Sequence, residues 1–155
     1  MVFLLFHLGQ DRYVLDATRV VEVLPLVELQ RIGGAPRGVA GIFNYRGQPV
    51  PAIDLSELTL GRPANERLNT RVIVVHYPDE TGKDHLLGLI AERVAQTIRR
   101  ERKDLVESGL NLGVAPHLGP VLLDDKGVIQ LIREQHLLPG HVRDVILAEA
   151  HQPTT

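Results

Sequence analysis

The chain offers few groups from which a reaction centre could be assembled. It has no cysteine, so neither a thiolate nucleophile nor a disulfide is available. Ser56 and Ser108 are its serines, and neither sits in the Gly-x-Ser-x-Gly turn that exposes a hydrolase nucleophile. The seven histidines, His7, His76, His85, His117, His136, His141 and His151, form no His-x-His or His-x-x-x-His pair that would converge on a metal. His7 and His76 read as strand residues, and His85 and His117 as solvated loop residues. The glycine-rich run from Gly33 to Gly41 lacks a following Lys-Ser/Thr, contains no Gly-x-Gly-x-x-Gly, and is interrupted by Pro36. It reads as turn geometry, without the features of a phosphate cradle. Asp124 and Asp125 are adjacent carboxylates, but the run Asp124-Asp125-Lys126-Gly127 is a hairpin turn, where Asp serves local hydrogen bonding. An enzyme reading therefore has no nucleophile, base, metal or cofactor to rest on.

What remains is a binding constellation. Arg46 precedes Gly47 between two short apolar runs, Ile42–Tyr45 and Gln48–Ile53, so a tight bend holds its guanidinium outward. A guanidinium presents five donors in a planar fork suited to carboxylates. Two readings stay open. Arg46 takes an acidic group on another protein, or it pairs with an acid of its own chain.

The elements that must position these groups are mostly strands. Val2–Leu8 and Arg12–Leu15 flank Gly9-Gln10-Asp11 as a hairpin or strand-to-strand bend. Arg19–Leu24 is a strand stopped by Pro25, and Asp16-Ala17-Thr18 begins a helical turn before it. Pro49 and Pro51, two apart, suit an edge strand. Asp54 caps a short helix over Leu55–Leu60, with Glu57 at the capping-box position. The β-branched run from Arg71 to Val75 predicts a strand covered on both faces. Leu86–Ile98 is a long bent strand, Glu101–Glu107 a short charged helix, and Pro120–Leu123 with Val128–Ile132 a hairpin. Val142, Val145 and Ile146 line one face of a closing helix. Many short strands with few helices predict a mainly β protein of small, nearly closed barrels sharing a core.

Bulk properties agree with one domain of 155 residues, long enough to bury about 70% of its extended surface. With 44% hydrophobic and 23% charged residues, the mixture is that of an ordinary globular chain. A formal charge of −2 and 4% aromatics argue against nucleic acid, which needs a basic field and stacking faces. The apolar start, Met1–Phe6, carries no cationic leader and breaks at His7, so a strand is expected there and no membrane insertion. Absence of cysteine suits a reducing compartment.

One ordered set of motifs resembles the CheW family of chemotaxis coupling proteins. Gly41, Asn44, Arg46, Gly47, Pro51, Asp54 and Leu55 reproduce the pattern G-x-x-N-x-R-G-x-x-x-P-x-x-D-L in register. Val20-Val21-Glu22-Val23 is similar to the family's V-x-E-I strand. Thr70–Val75 and Leu87–Val94 resemble its T-x-I-I-V-V and V-G-L-x-V-D-x-V strands. The resemblance covers roughly Phe3–Leu138. It implies two five-stranded β-barrel subdomains around a shared core, with the first strand completing the second barrel. The subdomains are placed at about 12–70 and at about 1–11 plus 71–138, followed by a C-terminal helix at about 139–150.

The resemblance also implies a non-catalytic cytoplasmic adaptor without cofactor, bridging the tips of membrane chemoreceptors to a CheA-type histidine kinase. In that role Arg46 meets an acidic residue on the receptor's helical hairpin, Asn44 and Gly47 shape the bend, and Glu22 lies by the same groove. Apolar residues at the barrel rims dock the kinase. Tyr45, where the family usually has an aliphatic residue, retunes receptor choice. Leu118-Gly119-Pro120-Val121 departs from the family's approach to the last hairpin and bears on kinase contacts there. These two variants resemble coupling proteins of alternative, surface-sensing chemosensory clusters. The competing function from another class is a β-barrel domain that senses a small molecule.

Overall fold

The computed structural model describes residues 1–66, 69–79, 81–108 and 116–137. In chain order the strands are β1 (Val2–Leu8), β2 (Asp11–Asp16), β3 (Val20–Pro25), β4 (Val39–Tyr45), β5 (Gln48–Asp54), β6 (Arg71–Pro78), β7 (Asp84–Arg99), β8 (Leu118–Asp124) and β9 (Gly127–Ile132). One short helix, α1 (Leu55–Leu60), follows β5. Asp54 caps it as expected, its Oδ1 accepting the Glu57 N–H at 3.1 Å while Oδ2 accepts from Ala64 N at 2.9 Å.

Strand β7 ties the molecule together. Its first half pairs with β6, from Pro78↔Asp84 to Arg71↔Ala91, and its second half with β1, from His7↔Glu92 to Val2↔Arg99. The handover falls at Arg93, whose φ of 49° turns the strand, opposite a register shift between Leu5 and His7. A left-handed residue inside a strand bends it and redirects the residues beyond the bend. Around the first half lies the order β3-β6-β7-β5-β4, and around the second β7-β1-β2-β9-β8. These are the two five-stranded units that were expected, and β1 belongs to the second. Among the described residues their ladders stay open: β3 does not pair with β4 nor β7 with β8. Single bridges, Gln30↔Ile42 and Val106↔Val121, extend the free edges of β4 and β8.

The alternation of β6 explains why its sequence is apolar throughout. Val72 and Val74 point into a cluster with Phe43, Tyr45 and Val50 inside the first unit. Ile73 and Val75 point the other way, into a larger cluster with Phe6, Leu15, Leu55 and Leu89, to which both units contribute. Phe3, Leu5, Val14, Leu122 and Ile129 fill the second unit. The shared core is thus a layer between two smaller ones.

Four expectations are corrected. The pairing puts β2 with β1 and β9, and β6 with β3, so the units do not divide at residues 12 and 70. Strand β5 is not an edge: its end, Ala52–Asp54, lies between β4 and parallel β7, and the prolines fall in the half that pairs with β4 alone. The charged helix is a single 3-10 turn, Arg102–Asp104, closed by Asp104 accepting from Glu101 N at 2.8 Å before Val106 is drawn to β8. His85 and His117 are buried, against Asp79 at 2.8 Å and Thr59 at 3.3 Å respectively. The closing helix at 139–150 lies outside the described residues.

Candidate functional site

The turn between β4 and β5 is a two-residue hairpin, with Tyr45 paired to Gln48 and Arg46-Gly47 at its tip. Both tip residues have positive φ, 52° and 84°, the geometry of a type I′ turn whose twist matches the flanking strands. Asn44 secures the tip, its Oδ1 accepting the Gly47 N–H at 2.7 Å. Gly41 serves further back. A Cβ there would stand 2.4 Å from the Gln30 carbonyl oxygen, which instead accepts from Ile42 N at 2.8 Å. The motif therefore mixes roles: Gly41, Asn44, Gly47, Asp54 and Leu55 build the hairpin and anchor it on α1, and Arg46 is what they display.

Arg46 projects into solvent with 73% of its side chain exposed. Its Nη2 donates to both oxygens of Glu22, at 3.0 and 3.2 Å. Glu22 comes from β3, an edge strand, just after a register shift between Val20 and Glu22. Val21 and Val23 on either side of it are exposed. Tyr45 completes the group. Its buried ring lies 5.3 Å from the Arg46 guanidinium carbon, and its hydroxyl donates to Glu22 Oε2 at 2.5 Å. The Tyr45 hydroxyl, and then the Arg46 charge, hold the Glu22 carboxyl below the usual carboxylate range, and the same bond to Glu22 pushes the Tyr45 phenol up.

All five residues singled out in the sequence, Glu22, Asn44, Tyr45, Arg46 and Gly47, meet at this one place. Of the two readings of Arg46, the geometry shows the pairing with an acid of its own chain, and the guanidinium still remains open to solvent. Two features were not foreseen. One is the Tyr45–Glu22 bond, which depends on a contact between β3 and β4 that no local pattern specifies. The other is the exposure of Val21 and Val23, since a short strand with apolar residues on both of its faces does not say which face is outward. Chemically the group is an exposed guanidinium set against a carboxylate of its own chain, with an exposed valine on each side of that glutamate in the strand. Among the described residues, no three His, Asp or Glu side chains gather to hold a metal ion, and no helix is long and apolar enough to cross a membrane.

A family model, the CheW-like domain, matches residues 2–141. The chain belongs to the CheW-like family. Among relatives, the chemotaxis protein CheW of Helicobacter pylori is 28% identical over 104 residues, covering 66% of this chain and 59% of that protein. The chemotaxis protein CheW of Klebsiella aerogenes is 32% identical over 98 residues, 59% of each chain. This CheW-like chain thus spans about three fifths of the length of the curated relatives it matches. The crystal structure of the scaffolding protein TtCheW from Thermoanaerobacter tengcongensis superposes with a TM-score of 0.77 at 24% identity, over 90% of this chain and 89% of that one, which shows the fold.

Proposed function

We propose that this chain is a non-catalytic cytoplasmic adaptor that couples the tips of chemoreceptors to a CheA-type histidine kinase, and that it associates with membrane receptor arrays through those partners. The observation that carries the reading is the exposed guanidinium of Arg46 at the tip of a rigid I′ turn, beside the exposed valines of an edge strand. An acidic residue on a receptor's helical hairpin takes Arg46, and apolar residues at the rims of the two units dock the kinase's homologous domain. Membership of the CheW-like family supports the assignment.

The mechanism is geometric. By holding receptor and kinase at a fixed separation, the adaptor lets small receptor motions bias the kinase between its states. Each contact need be no stronger than micromolar, about −8 kcal/mol, because many tethered copies in an array act together. Receptor binding exchanges one carboxylate for another on Arg46, which favours specificity and easy release over raw affinity. The variant Tyr45 and the Leu118–Val121 segment favour service in an alternative, surface-sensing cluster.

Charge reversal tests the reading. Arg46→Glu is expected to abolish pull-down by a soluble cytoplasmic fragment of a receptor from the same genome, with an unchanged circular dichroism spectrum and melting curve. Normal capture by the reversed protein would sink the assignment of Arg46 as the receptor contact.

A further inference from the structure

Tyr45 does more than fill space. Its ring is fixed in the apolar cluster with Phe43, Val50 and Val72, so its hydroxyl sits at a set height on the rim of the first unit. From there it donates to Glu22 Oε2 at 2.5 Å, closer than either Arg46 contact, 3.0 and 3.2 Å, and on an oxygen that Arg46 shares. A carboxylate divided between two donors holds each less tightly than it would hold one alone. The two donors differ in freedom: the phenol is buried and the guanidinium is exposed at the end of a flexible stem.

The consequence appears when an external carboxylate draws Arg46 away. Without Tyr45, Arg46 would be the one donor left to Glu22 in this cluster, and giving it up would leave the carboxylate with no donor there beside an incoming like charge. With Tyr45, Glu22 keeps a charge-assisted bond and stays aimed at the phenol. We propose that Tyr45 is a positioning residue that holds Glu22 in place of Arg46, so that the guanidinium can transfer from Glu22 to an acidic group of the partner. This rests on the receptor-coupling reading and adds to it the residue that makes the exchange possible.

The experiment compares wild type, Tyr45→Phe, Glu22→Gln and the double variant as full chains. Affinity is measured for the soluble receptor fragment by isothermal titration. Tyr45→Phe is expected to weaken binding about three- to ten-fold, the scale of one hydrogen bond, and to have little effect where Glu22 is already Gln. A wild-type affinity in Tyr45→Phe, or the same loss in both backgrounds, overturns the proposal. A second readout needs no partner. By nuclear magnetic resonance, Tyr45→Phe should raise the titration midpoint of the Glu22 carboxyl and make the Arg46 Nε–H more ordered. If Arg46→Glu captures the fragment normally, the receptor reading fails by itself, and the resonance data then decide: an unchanged Arg46 Nε–H overturns the Tyr45 link, and a more ordered one upholds it.

Discussion

Two glutamates in this fold differ in how deeply they are buried and in what kind of donor holds them. Glu92 sits where β7 bends between the two units and is 6% exposed. Its Oε1 accepts the Gly9 N–H at 2.8 Å, its Oε2 the Asn65 N–H at 2.8 Å, and Ser56 and Arg62 approach the first oxygen at 3.5 and 4.0 Å. Burial pushes its carboxyl up, but the N–H groups of Gly9 and Asn65, with Arg62, more than offset this and hold it below the usual range. Among the described residues Glu22 has a phenol and a guanidinium as partners, and a third of its side chain is exposed. The donors of Glu92 are mostly main-chain groups, whereas the charged donor of Glu22 is an exposed side chain on a long stem. A carboxylate of the first kind staples the chain, and one of the second kind can exchange partners.

The largest effect is expected at the staple. Glu92→Ala removes the acceptor of the Gly9 and Asn65 N–H groups, which ties together the β1–β2 turn, the segment after α1 and the bend in β7. It should cost about 2–4 kcal/mol of stability, read as a lower urea midpoint at unchanged slope. Glu92→Gln, which keeps one acceptor and the shape, should lose less. A midpoint equal to wild type in Glu92→Ala would erase the distinction between the two carboxylates.

A smaller effect, seen only on acidification, is expected from His117, which joins the start of β8 to Thr59 of α1. Burial lowers its imidazole below the ordinary value. The unfolded chain then takes up the proton first, so stability falls as pH drops below about 6.5 and levels off once the folded imidazole is also protonated. His7, lowered by burial and by Arg93 and Arg12, acts in the same direction. Urea midpoints at pH 7.5 and 5.5 should differ less in His117→Gln than in wild type. An equal difference would show that the stability does not sense this proton.

How much of this was legible follows the same division between local and distant contacts. The Asp124–Gly127 hairpin, the Asp54 cap and the two-sided burial of β6 each depend on neighbours in sequence, and the residues announced them. The family motif gave the two units and the turn at Arg46. The kink of β7 was not placed, because Arg93 adopts a left-handed φ that nothing in its own side chain requires. The grouping of β2 and β6, and the meeting of Glu22 with Tyr45, come from pairings across long stretches of chain, and a local pattern cannot choose among such partners. His117 differs from its sequence reading for that reason too: its segment looks like a loop, and its burial comes with a contact to Thr59 of α1, 58 residues away in sequence.

The smallest effect on stability is expected at the turn itself, and it sharpens the comparison most. If Glu22 and Arg46 formed a structural pair, Glu22→Ala, Arg46→Ala and the double variant would show strong coupling in a double-mutant cycle of unfolding free energies. With Arg46 73% exposed, solvent screens the attraction and ordering two side chains offsets much of it. Arg12 and Asp124 supply the internal standard: there a guanidinium meets a carboxylate through two bonds of 2.7 Å with side chains only 16% and 21% exposed. The cycle at Glu22 and Arg46 should close within the scatter of the urea curves, while the cycle at Arg12 and Asp124 should not. Equal coupling at the two places would mean that Arg46 is already committed within the chain, and the turn could no longer be the part that another protein takes hold of.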